Sequence, residues 1–211
     1  MTSAIQGLRL ELPPGFAALP IGENAAAQRD HAFELVRKAE SAGQDVGDAV
    51  TTAEQMVGVF DALRAMDIQL CGKFAVVTDD APATATVLLS VQRLRSADPA
   101  AAAGDLVGMT GAVKELFQRR NPQAQTRTIQ LPIGHAVAAL VVGEFRIPPE
   151  RFGAEDELVI PTFRAVFLIP LTTGDHLAAL DVSTTSEAGW PEISRQAVAI
   201  ARSLRYGRDD R

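Results

Sequence analysis

One cysteine, three histidines and an arginine and an aspartate set into apolar stretches are the residues of this 211-residue chain that could do chemistry. Cys71 would serve as a nucleophile only with a base such as His135 or His176 lowering its pKa and a carboxylate orienting that base. Flanked by Leu70 and Gly72 in an extended apolar segment, it reads instead as a small buried hydrophobe. His31, His135 and His176 lie too far apart to show ligand spacing, so no metal ligands are assigned. Arg164 and Asp181 each interrupt an otherwise apolar strand, and a charge there needs either water or a partner. They form a structural ion pair, face solvent, or bind a ligand together. Trp190, next to Pro191 at a helix start, either anchors the helix to the core or stands exposed as a contact hot spot. Arg164, Asp181 and Trp190 are the candidate partner contacts; no catalytic, cofactor-binding or metal residue is assigned, and no cofactor is called for.

Known signatures do not change this. The chain has no Gly-x-Gly-x-x-Gly turn, no phosphate-binding Gly-x-x-x-x-Gly-Lys, no His-Glu-x-x-His and no Gly-x-Ser-x-Gly. An active site built from scattered residues stays open as an alternative: a hydrolase or transferase using Cys71, or Asp181 with a histidine as acid and base.

The elements that must position these residues follow from the spacing of apolar side chains. Leu8, Leu10 and Leu12 alternate with charges, a half-buried strand stopped at Pro13-Pro14-Gly15. Ala32, Leu35, Val36 and Ala39 make one face of a helix from Gln28 to Ala42, closed by Gly43. A second helix starts around Asp48, with Val50, Ala53, Val57 and Phe60 on one face and Thr51 with Glu54 resembling a capping box. Asp67 to Leu94 reads as two strands joined through Asp79-Asp80-Ala81-Pro82. Asp98-Pro99 suits a helix start, and that helix runs to about Arg120 with Leu106, Thr110, Val113 and Phe117 on its face. Its glycines predict close approach to another backbone, and the Gly104 to Gly108 spacing admits a homodimer contact. Four strands follow: Thr126–Leu131, His135–Phe145 as a central strand covered on both faces, and an antiparallel hairpin of Val159–Ile169 with His176–Thr184. A helix from Pro191 to Leu204 ends the pattern, and the polar tail 205–211 is expected to fray. Short connections predict antiparallel pairing. The fold class is therefore α+β, a mainly antiparallel β-sheet flanked by helices, in a single domain over 1–211.

Composition narrows the classes of function. Twenty basic against 26 acidic side chains leave a net charge of −6, which argues against general nucleic-acid binding. Arg119, Arg120 and Arg127 form a small basic cluster opposite in sign to Glu155-Asp156-Glu157, too small to imply nucleic acid. No apolar run reaches the ~18 residues of a membrane span, so no membrane insertion is expected. Met1-Thr-Ser-Ala shows no signal-peptide pattern, and a lone cysteine excludes an internal disulfide. A cytoplasmic location is the expectation.

The run Leu131-Pro-Ile-Gly-His-Ala-Val, then Phe163-Arg-Ala-Val-Phe-Leu-Ile-Pro-Leu, then Leu177-Ala-Ala-Leu-Asp-Val, and Trp190-Pro-Glu-Ile leading to Ala201-Arg-Ser-Leu-Arg, together with Leu10-Glu-Leu-Pro-Pro-Gly-Phe, resembles the PsbP/Mog1-like superfamily in its actinobacterial LpqN-like branch. That resemblance implies an α/β/α sandwich and a non-enzymatic role, since its members with assigned roles are adaptors and secretion chaperones. Cys71 lies inside a predicted strand rather than behind an N-terminal apolar segment, unlike the lipoproteins of that group. The expected function is a protein-binding adaptor or chaperone-like module accessory to an envelope or secretion assembly, its partner another protein. A small-molecule carrier is the remaining alternative, with the low aromatic content (5%) against it.

Overall fold

A computed structural model describes residues 2–5 by their backbone, and 7–22, 24–78, 82–94, 105–149, 156–172 and 176–207 in full. Strands β1 (Thr2–Ile5), β2 (Leu8–Glu11) and β3 (Ala17–Ala18) precede helices α1 (Ala25–Ser41) and α2 (Ala49–Ala65). Then come β4 (Ile68–Val76), β5 (Ala83–Arg93), α3 (Leu106–Arg120), β6 (Gln125–Leu131), β7 (Gly134–Ile147), β8 (Leu158–Pro170), β9 (His176–Thr184), α4 (Trp190–Ser203) and β10 (Arg205–Tyr206).

Seven strands form one sheet in the order β3-β4-β5-β9-β8-β7-β6, with every neighbouring pair antiparallel. The expected α+β class holds, with helices on the sheet. Alternation along each strand sends its side chains to two faces. On one face, Val87, Leu89, Phe167, Ile169, Leu180 and Val182 join the core cluster that includes Ile193, Ala197, Ile200 and Ala201 of α4. Each large aliphatic buried there is worth about 1.5–3 kcal/mol. On the other face Val137, Ala139, Val166 and Leu168 are covered by Val113 and Phe117 of α3. Helices α1 and α2 form a hairpin with its own small core of Ala32, Val36, Ala53 and Phe60.

A second sheet, β1-β2-β10, lies on the α4 side, where Leu8 and Leu10 enter the same core as Leu204. For Arg205 to Gly207 it replaces the expected fraying with pairing; 208–211 lie outside the described residues. Arg205 and Tyr206 pair with Arg9 and Leu8, and the Gly207 amide donates to the Gly7 carbonyl at 2.5 Å. Tyr206 also accepts a hydrogen bond from the Thr172 amide, 2.6 Å. A two-residue strand such as β3 or β10 lacks the length to show a period in sequence.

Helix starts needed three corrections. Asn24 caps α1 by accepting from the Ala27 amide at 3.0 Å, so the helix begins three residues before Gln28. In α2 the cap is Asp48, which accepts from the Thr51 amide at 3.0 Å and from the Thr51 hydroxyl, in place of the expected Thr51–Glu54 box. Ala53 and Phe60 are buried as expected, whereas Val50 is exposed. Helix α3 begins at Leu106, where Asp105 accepts from the amides of Val107 (3.1 Å) and Gly108 (2.9 Å). Asp98-Pro99 and the Asp79–Ala81 connection lie outside the described residues.

The same cap explains Gly108. The nearest atoms that a Cβ there would meet belong to the Asp105 carboxylate, so the glycine makes room for the cap. Gly111 has nothing within 4 Å of where its Cβ would stand, so no close approach is made there among the described residues. Gly111→Ala should therefore stabilise the protein by about 0.5–1 kcal/mol, the propensity difference in a helix interior. Thermal or denaturant unfolding checks this; a loss of stability would show a packing role for the missing side chain.

Candidate functional site

The expectation that β7 is a central strand covered on both faces holds only for its first half. Ala136, Val137 and Ala139 are buried, but from Leu140 onward the strand is half-buried or exposed. The reason is length. β6 pairs with β7 only from Leu131 to Gln125, opposite Gly134 to Leu140, and β9 pairs with β8 only as far as Phe163. Val141 and Val142 lead out from the sheet edge, and beyond them Gly143–Ile147 and Leu158–Thr162 run on as a two-stranded ribbon, paired among the described residues to each other alone. Val142 at the ribbon's root (64%) and Phe145 within it (58%) are exposed, and the ribbon carries a charged clasp in which Arg146 binds Glu144 and Glu157.

Where the ribbon leaves the sheet, the α4 face opens into a groove of about 680 Å³. Its floor is Ala138, Leu140, Ala165 and Phe167, with β6 forming one margin through Gln125 and Arg127. Its wall is α4. Trp190, Ser194, Val198 and Arg202 recur every four residues and so form one stripe along that helix. Ser194, Val198 and Arg202 line the groove, while the Trp190 ring stacks on Phe163 at the stripe's start, centroids 5.8 Å apart at 28°. The small side chains of Ala138, Ala165 and Ala199 leave room for an incoming backbone. Leu140 and Val198 remain 46% and 40% exposed, apolar surface that nothing in the chain covers among the described residues.

The three candidate contacts do not converge. Arg164 and Asp181 bind each other: the Arg164 Nε–H donates to Asp181 Oδ2 at 3.1 Å, and its Nη2 makes a closer contact with the same oxygen. Asp181 Oδ1 is buried with no hydrogen-bond partner among the described residues. Arg164 is the neighbour of Phe163 in β8 and therefore points to the opposite, α3, face of the sheet. Trp190 stacks on Phe163, so it lies across the sheet from the ion pair. It is half-buried, packed against the core at one edge and bordering the groove at the other.

The sheet register also separates the groups an acid–base or thiol mechanism would need. Cys71 faces Leu88 across β4 and β5, while His176 faces Arg93, five residues along β5, or roughly 17 Å. His135 lies in β7, four strand spacings from β4, about 19 Å. Burial pushes the Cys71 thiol pKa up, against a weaker opposing pull from Lys73. An activated thiol requires the reverse. His176 and Asp181 differ by five positions in β9 and so point to opposite faces. Among the described residues no group of three or more His, Cys, Asp and Glu is arranged to hold a metal ion, and no helix is long and apolar enough to cross a membrane.

The expected basic cluster is divided by the sheet. Arg119 and Arg120 end α3, with Arg119 lying 4.0 Å from Glu115, whereas Arg127 pairs opposite Ala138 and lines the groove on the α4 face. Glu155 lies outside the described residues; Glu157 is held by Arg146.

No family model matches the chain, and no curated protein matches it. Among solved structures it is similar to a protein from Bacteroides thetaiotaomicron VPI-5482, with a TM-score of 0.40 and 8% identity over 97% of this chain and 47% of that one. The chain thus spans about half the length of that protein.

Proposed function

We propose that this protein is a non-enzymatic, protein-binding adaptor or chaperone-like module of the PsbP/Mog1-like type, acting in the cytoplasm and accessory to an envelope or secretion assembly. One observation carries the reading: apolar surface that continues from the α4 groove, through Leu140 and Val198, onto the root of the projecting ribbon at Val142. Contiguous apolar surface of this kind, bordered by polar residues, is what a partner's side chains bury on docking. Arg164 and Asp181, as each other's partner, support the sheet under this surface; Trp190 stacks on Phe163 at the start of the α4 stripe that lines the groove.

Capture from native cells on immobilised protein tests the reading. Wild type should retain a stoichiometric protein partner, and the double variant Leu140→Glu/Val198→Glu should lose it by tenfold or more, since two buried apolar contacts are worth about 2 kcal/mol or more. Both positions are exposed, so the variant should fold normally. Absence of any stoichiometric protein, or equal capture by the variant, overturns the proposal.

A further inference from the structure

The groove's charge is opposite to that of the chain as a whole. The molecule carries −6, yet the groove is edged by three guanidinium groups, Arg127 on β6 and Arg195 and Arg202 on α4, and among the described residues no carboxylate lines it. Arg195 is held by Glu192 one turn earlier. Arg127 and Arg202 are exposed and form no ion pair among the described residues. They stand on opposite margins of an apolar floor.

The shape of the bare region fixes the form of the occupant. On the α3 side the sheet end is roofed, because α3 packs across β6, β7 and β8. On the α4 side α4 packs on β8 and β9; β6 and β7 are covered at one end, where Leu131 and Ala136 are buried, and bare at the other, around Gln125, Arg127 and Leu140. Two strand spacings make a floor about 10 Å wide, the diameter of one α-helix with its side chains. A helix laid there beside α4 would seat its apolar stripe on Leu140, Ala138 and Val198 and complete the layer that α4 begins. Its flanks would then face Arg127 on one margin and Arg202 on the other.

We infer that the groove binds an amphipathic helix of a partner protein whose apolar stripe is flanked by acidic residues. The inference deepens the adaptor reading and rests on it. Carboxylates on either flank would meet an unpaired guanidinium, a geometry that favours directed hydrogen bonds as well as charge attraction. Basic flanks would be repelled, so the same rim sets specificity.

Selection of random peptides of about 18 residues, five helical turns, on the full-length protein tests this, with binding followed by the emission of Trp190, the chain's single tryptophan. The recovered peptides should combine an apolar stripe with Asp or Glu on its flanks. Their affinity should fall about tenfold on Arg127→Gln/Arg202→Gln, two contacts each of ordinary exposed-pair strength. It should fall again when salt is raised from about 0.05 to about 0.5 M. Leu140→Glu should abolish it. Groove-dependent binders without acidic enrichment, bound equally by the arginine variant, overturn the acidic-helix inference and leave the adaptor reading standing. Binders indifferent to Leu140→Glu overturn the groove as the site. Recovery of no peptide, with the protein instead sedimenting on phosphatidylglycerol vesicles, overturns both.

Discussion

Gly72→Ala should lower the stability of this protein by about 3 kcal/mol, the upper part of the range for overpacking a close-packed interior. The position has no space for a methyl group. A Cβ there would come within 2.5 Å of the Ala17 carbonyl oxygen and would strike the Phe16 ring. The ring could turn, but the carbonyl belongs to β3, which is held to β4 by pairing of Ala17 with Lys73 and Ala18 with Gly72. The Leu19 amide donates to the Cys71 carbonyl at 2.7 Å on the same edge. Relief of the clash would therefore have to displace the outer strand of the sheet and the chain leading into α1. A shift of that size corresponds to roughly 6–12 °C in Tm for a chain this long. Unchanged unfolding would mean that β3 does not sit against Gly72.

Trp190→Ala is the second large effect, a loss of about 3 kcal/mol. The indole stacks on Phe163 and touches the core, and it starts α4, whose cap, Gly189, offers no side-chain acceptor. Pro191 and the ring together set where α4 begins. Trp190→Phe keeps an aromatic face on Phe163 and should recover more than half of the loss. Chemical denaturation of the three proteins checks this, and a melting midpoint unaffected by alanine would place the indole in water.

The pattern of elements was legible because most are long. The strands and helices of nine residues or more, such as β5 and α4, repeat their apolar spacing enough times to state both type and face. The antiparallel order followed from short connections, as at β8 and β9. Burial was less legible, because periodicity reports which residues share a face but not whether anything covers it. Leu140, Val142 and Phe145 continue the apolar pattern of Ala136 to Ala139 without a break, yet they lie beyond the reach of β6. The signal available in sequence was the mismatch between a short strand at 126–131 and a long one at 135–145.

The candidate site was divided in the same way. Arg164 and Asp181 could be recognised as partners because each charge sat in an apolar strand, and the structure pairs them. Trp190 stood out by type, but its role as the start of a groove wall depends on the four-residue stripe through Val198 and Arg202. That stripe gains meaning only once the neighbouring strands are known to be bare. Arg127 was grouped with Arg119 and Arg120 by proximity in sequence; one alternation of a strand sends it to the other side of the sheet.

The ribbon formed by the ends of β7 and β8 has a cost to manage in the test tube and in the cell. Unpaired strand edges invite copies to stack end to end into fibres. Here Glu144 and Arg146 occupy the exposed margin of one strand, Glu157 anchors them, and Pro161 takes an amide donor out of the other. Concentrated solutions should therefore stay clear as long as that clasp is charged, and neutralising it would turn the ribbon into a seed for polymerisation.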